Sequence, residues 1–194
     1  MIGCPEPTVA QAVVDAAIVF CEDSMVIREV LDSITLEIGN GAYTLDAPQH
    51  QSITRVLNAW VDGVQIQVNP QDQVNPLRTA TGPIQGCFTS RAGSEFALSV
   101  YPLPDKAYTL TVECALRPVR GATQLEDDLY ELWVQPISDG AISRLASIPD
   151  QPYTNINLAG SRQMQFLLAS RRALVESSYN RTRGTSTVRP RPLA

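Results

Sequence analysis

Near the start of the chain, Val9, Val13, Ala16, Ala17 and Phe20 recur at helical spacing, while Gln11, Asp15 and Glu22 fall elsewhere on the wheel. Thr8 followed by Gln11 forms a capping box, and Pro7 cannot extend a helix backwards. Small side chains at Ala12, Ala16 and Ala17 allow a second helix to approach closely. From about Ile27 to Leu116 the period shortens from about 3.6 residues to about 2. Ile34, Leu36 and Ile38 alternate, and Gly39-Asn40-Gly41 makes a turn before Tyr43-Thr44-Leu45. Ile53 to Val61 leads through Asp62-Gly63 into Val64, Ile66 and Val68. Asp-Gly between two such runs predicts a hairpin, because a type I′ turn needs positive φ at both positions.

The stretch from Pro70 to Pro83 is polar and proline-rich and predicts a long loop. A second meander follows, with Cys87 to Arg91, a turn at Ala92-Gly93, then Phe96, Leu98 and Val100. Pro102 to Asp105 turns the chain into Tyr108, Leu110, Val112, Cys114 and Leu116. These alternate with Thr109, Thr111, Glu113 and Ala115, which predicts one buried face and one wet face. Helical period returns at Thr123, where Thr123 and Glu126 form a second capping box. Leu129, Trp133, Ile137 and Leu145 mark its buried stripe, Pro136 should kink or divide it, and Gly140-Ala141 offers a flat patch to a neighbouring helix. Ser147 to Asn157 is a loop, and a last helix is expected from about Leu158 to Ser178 with Met164, Leu167, Leu168, Leu174 and Val175 facing inward. After Tyr179 the chain has almost nothing to bury, so Asn180 to Ala194 is expected to be disordered in the free subunit.

The predicted class is therefore α+β, a helical bundle of N- and C-terminal helices with an inserted antiparallel β-domain and an extended C-terminal arm. Residues 1–26 supply the first bundle helix, 27–120 the β-domain, 121–179 the remaining helices and 180–194 the basic arm.

Composition sharpens this picture. At 194 residues the chain suits one domain, or one domain carrying an inserted layer. A hydrophobic content of 44% supports a core, and a charged content of 18% is below the usual level, which suggests surface covered by other subunits. From Arg171 onward six arginines face one acid, Glu176, a local +5 that leaves −10 on the preceding residues out of the total of −5. An acidic body with a basic arm is not a nucleic-acid-binding domain. It fits a body that avoids DNA and an arm that grips a protein.

Candidate chemistry is sparse. The four cysteines (4, 21, 87 and 114) stand apart with a single histidine to help them, so neither a zinc site nor any other cofactor is expected. They read as free thiols of a cytosol-made protein, with Cys21 and Cys114 as small hydrophobes. His50 lies in a polar turn after Pro48, with no nucleophile motif beside it. Glu126-Asp127-Asp128 suits the first turn of a helix better than a carboxylate pair. Gly39-Asn40-Gly41 lacks the spacing of a phosphate cradle. Trp60 and Trp133 read as core residues, and 6% aromatic content is too low for a base-stacking platform. Met1 to Pro7 lacks the basic start of a secretory leader, and no run is long enough to span a membrane. No enzymatic activity is expected.

The order of these pieces resembles the head-to-tail adaptor, or connector, family of short-tailed bacteriophages, the tail-tubular-A-like adaptors of podoviruses. The carriers are an alanine-rich helix ending in Phe20-Cys21, the Tyr-x-Leu-x-x-Pro of Tyr43 to Pro48, and the Asp-Gly hairpin of Val61 to Val64. They continue through the strand from Tyr108 to Pro118, the Gly-Ala-x-x-Arg-Leu-x-x-x-Pro of Gly140 to Pro149, and Pro-Tyr-Thr-Asn at 152 to 155 before the closing helix. The resemblance covers about Thr8 to Arg181. It implies a structural virion protein, made in the host cytoplasm and built as a dodecameric ring between the portal protein and the tail nozzle or hub. Genomic DNA would pass through the lumen without specific binding, and no membrane is involved. The portal-binding arm would comprise Arg181, Arg183, Arg189, Pro190, Arg191 and Pro192. Two alternatives stand beside it: a neck stopper or tail-completion protein of a long-tailed phage, and a non-viral β-rich ligand-binding module.

Overall fold

Helix α1 spans Glu6–Ser24 and begins earlier than the expected capping box. Pro5 is its N-cap and Pro7 lies in the first turn, where a missing N–H costs nothing. No side chain caps it: Gln11 instead donates to Asp15 Oδ1 at 3.1 Å, one turn on. Ala16, Ala17, Phe20 and Cys21 are buried, as their spacing predicts. The computed structural model describes residues 3–70, 80–92 and 95–179. The expected turn at Gly93, most of the loop from Pro70 to Pro83, and the whole arm from 180 to 194 lie outside them.

Among the described residues ten strands follow: β1 Ile27–Val30, β2 Ile34–Leu36, β3 Ala42–Leu45, β4 Gln51–Val61, β5 Val64–Asn69, β6 Thr81–Gly82, β7 Gly86–Ala92, β8 Glu95–Tyr101, β9 Leu103–Pro104 and β10 Tyr108–Pro118. The main sheet runs β1-β10-β4-β5-β7-β8-β3, with β2 also paired to β10, and β6 and β9 form a separate ribbon. Pairing is mostly antiparallel, as expected, with the parallel pairs β5–β7 and β6–β9 as exceptions. The cause is connection length. A tight hairpin reverses direction, whereas the stretch between Asn69 and Gly86 lets the chain re-enter the sheet in the same direction.

Two predicted turns differ in what they join. Asp62 (φ 49°) and Gly63 (φ 80°) close the β4–β5 hairpin with Val61 opposite Val64. Asp62 is also tied to β10, its N–H donating to the Thr109 carbonyl and its carboxylate accepting from the Thr109 N–H, each at 2.9 Å. The turn at Gly39 (φ 75°) is no hairpin, because β2 pairs with β10 and β3 pairs with β8. The Tyr43 hydroxyl holds it, accepting from the Glu37 N–H at 2.9 Å and donating to the Asn40 carbonyl at 2.8 Å. Ile38 falls outside the strand and is exposed.

Strand β10 alternates as expected from Tyr108 to Cys114, and the alternation first fails at Ala115. Its register against β4 shifts after Glu113 and again after Ala115, and Cys114, Ala115 and Leu116 are all buried. An irregular register of this kind re-aims side chains and breaks strict alternation. Trp60, expected in the core, is only half-buried, between the buried Ala59 and Val61 on β4. It occupies the opposite face of the strand from its neighbours.

Helix α2 spans Asp127–Ala146 with Glu126 as N-cap and no side-chain cap, so the Thr123 capping box does not form. Pro136 lies inside this single helix and does not divide it. Leu129 and Trp133 before it, and Ile137, Ala141 and Leu145 after it, are all buried. Burial of these side chains, worth about 1.5–3 kcal/mol for each large one, outweighs the roughly 3 kcal/mol that an internal proline costs. Helix α3 spans Ile156–Ser178 and is capped by Asn155, whose side chain accepts from the Leu158 N–H at 3.0 Å. Its inward face corrects the sequence expectation. Ala159, Phe166, Ser170 and Ala173 are buried, whereas Met164, Leu167, Leu168 and Val175 are exposed and Leu174 is half-buried.

Candidate interaction surface

The three helices meet around small residues. An added Cβ at Gly140 would lie 2.7 Å from the Phe166 ring and 3.1 Å from the Ala16 methyl, so glycine sets the closest approach of α2 to both neighbours. Phe20 of α1 joins them, its ring centroid 5.4 Å from Trp133 and 6.1 Å from Phe166 in tilted arrangements. Beside this apolar contact runs a polar seam. Asp139, 6% exposed, accepts from Arg162 at 2.7 Å and from Gln135 at 3.2 Å, and Ser143 donates to Gln163 at 3.0 Å. A buried carboxylate needs such partners to offset desolvation. Together these contacts set the height of α3 against α2, with Arg162 level with Asp139 and Phe166 level with Gly140.

The end of α3 is tied to the sheet. Ser177 donates to the Ser24 carbonyl at 2.7 Å, and Arg28 of β1 reaches Ser177 Oγ at 3.4 Å and the Met25 carbonyl at 3.1 Å. Arg117 of β10 pairs with Glu22 of α1 at 3.3 Å, and Gln51 of β4 donates to Glu126 at the start of α2. A cleft of about 320 Å³ opens here, lined by Arg28, Leu129, Trp133, Ala173 and Glu176 among others. Ser177, in the last turn of α3, also lines it, and the described residues end at Tyr179. Arg181, Arg183, Arg189, Pro190, Arg191 and Pro192 all lie beyond it, outside the described residues.

Among the described residues no cluster of His, Cys, Asp and Glu could hold a metal ion. Burial pushes the Cys21, Cys87 and Cys114 thiols from 9.0 up to about 12, so they stay protonated and unreactive at neutral pH. His50 is exposed in a positive-φ turn, and its carbonyl accepts from the Val119 N–H at 3.0 Å. No described helix is long and apolar enough to cross a membrane.

What the described surface presents instead is apolar and uncovered. Met164, Leu168 and Val175 are 59%, 58% and 55% exposed along one side of α3, and Tyr130 and Val134 are 69% and 44% exposed on α2. Runs of exposed apolar side chains this dense mark contact with other proteins. The α3 stripe escaped sequence reasoning because its large apolar residues looked like core. A signal was present: Ala159, Ser170 and Ala173 repeat small residues around Phe166 as Ala16 and Ala17 do beside Phe20.

The fold is α+β, with closely packed helices whose outer apolar faces are uncovered among the described residues. Residues 5–191 match the family model of the SU10 adaptor protein, and the chain belongs to that family. This is a family of phage head–tail adaptors, structural components of the virion that contact other proteins of the neck. Membership sets aside the reading of a non-viral ligand-binding module. No curated protein matches the chain.

Proposed function

We propose that this chain is the head-to-tail adaptor of a short-tailed phage. Copies form a closed, dodecameric ring between the portal protein and the tail nozzle or hub, and the ring encloses the channel through which the genome is ejected. The helices act as the bundle that carries the ring, with the β-domain inserted between α1 and α2. The observation that carries this reading is the family match over residues 5–191. Charge supports it: the net −10 of residues 1–170 disfavours phosphate, so DNA slides instead of binding through counterion release.

Residues 180–194 serve as the arm that anchors each subunit to the portal. Arg181, Arg183, Arg189 and Arg191 stand there with no acid, and Pro190 and Pro192 favour an extended backbone that loses little entropy on binding. Arginine's planar fork suits carboxylates and carbonyls in a groove on the portal. Deletion from Arg181 onward tests this. The truncated chain should keep its fold and solubility but lose attachment to purified portal, and full-length attachment should weaken with added salt. Undiminished docking of the truncated subunit would move the anchor to the helical face.

A further inference from the structure

We infer that neighbouring subunits join head to tail, with the outer ridge of α3 seated in the outer groove between α1 and α2 of the next copy. The inference rests on the ring reading above and names its interface. On the ridge, Met164, Leu168 and Val175 line up at helical spacing with Arg171 between them. The groove is lined by Val13 of α1, by Leu125 just before α2, and by Asp127, Tyr130 and Val134 along it. Among the described residues ridge and groove are each uncovered, and they are of matching apolar character.

Charge selects this pairing over ridge against ridge. Helix α3 carries Arg162, Arg171 and Arg172 against Glu176, a net +2. Helix α1 carries Glu6, Asp15, Glu22 and Asp23 with no base, and α2 carries Asp127, Asp128, Glu131 and Asp139 against Arg144, so they stand at −4 and −3. Arg162 and Arg172 are taken up within the subunit by Asp139 and Glu176 at 2.7 Å each. Arg171, Asp127 and Glu131 have no ion-pair partner among the described residues and are exposed or set in the groove. Opposite potentials on two different faces favour a heterologous contact.

Register then favours a closed ring. Because Arg162 is level with Asp139, and Ala173 and Leu129 face the same cleft, α3 runs antiparallel to α2 with Leu168 near the height of Val134 and Arg171 near that of Glu131. Each helix touches the other two, so the outer side of α3 and the outer α1/α2 groove point in opposite directions. Rotation about an axis along the helices, with no rise, therefore brings ridge and groove together at matching heights. A heterologous contact without rise closes on itself, whereas one with rise makes a filament.

The test traps the contact in the full chain, with Cys4→Ser removing the one half-buried native thiol. Leu168→Cys and Val134→Cys on the same chain should give a ladder of covalent multimers under mild oxidation, and neither substitution alone should. Arg171→Glu should cut the yield roughly tenfold or more, and Glu131→Arg added to it should restore the ladder. Dimers from Leu168→Cys alone would place the ridge against itself and overturn the pairing. Rings visible by electron microscopy without a ladder would overturn the pairing and leave the ring standing. A chain that is single-copy by mass in assembled particles would overturn the ring as well.

Discussion

Helices α1 and α3 both repeat apolar residues at helical spacing, yet α1 turns that stripe inward while α3 turns Met164, Leu168 and Val175 outward. The buried faces of the two are nonetheless alike. Each sets one aromatic, Phe20 or Phe166, among alanines and a serine, and each meets α2 where Gly140 lets the axes approach. Small residues mark the face that packs closely within a subunit, because they remove bulk between helix axes. Large apolar residues opposite such a face mark a surface completed by something else. Low charge, at 18%, is the compositional trace of that incompleteness.

Three experiments test this contrast. The largest effect is expected from Phe20→Ala, which empties the junction with Trp133 and Phe166 and should cost about 3–5 kcal/mol in denaturant unfolding. Leu168→Ala, on the outer side of α3, should change subunit stability by no more than about 0.5 kcal/mol. Equal losses would place Leu168 in the core after all.

The second experiment uses pH. Cys21 is buried on α1, and its thiol is pushed from 9.0 up to about 12, chiefly by burial and then by the charges of Glu126 and Glu22. The folded state keeps a proton that the unfolded chain releases. Its contribution is therefore full below pH 9 and is lost as pH rises toward 12, at up to about 1.4 kcal/mol per pH unit. Cys87 and Cys114 in the sheet act in the same direction. Cys21→Ala should make the fall in unfolding midpoint between pH 9 and 11 shallower by about one proton, whereas Leu168→Ala should leave that slope unchanged.

The smallest effect differs in sign between two glycines. Gly140→Ala forces a methyl to 2.7 Å from the Phe166 ring. The overpacking cost of about 1–3 kcal/mol exceeds the roughly 1 kcal/mol of helix propensity gained, so melting should come earlier. Gly160 on α3 has nothing within 4 Å of an added Cβ, and Gly160→Ala should raise stability by about 0.5–1 kcal/mol. A stabilising Gly140→Ala would mean that the helices stand further apart than the Phe166 contact implies.

Local pattern alone determined much of this protein: the α1 stripe, the Asp62-Gly63 hairpin, the alternation of β10 up to Cys114 and the buried face of α2. Each depends on residues near one another in the chain, where period and turn chemistry act directly. Tertiary structure alone decided three other things. The parallel β5–β7 pair needed knowledge of where a long connection returns, and the burial of Ala115 needed the irregular register against β4. The outward face of α3 needed the partner helix, because periodicity locates a stripe but carries no sign saying whether its cover lies within the same chain or on the next.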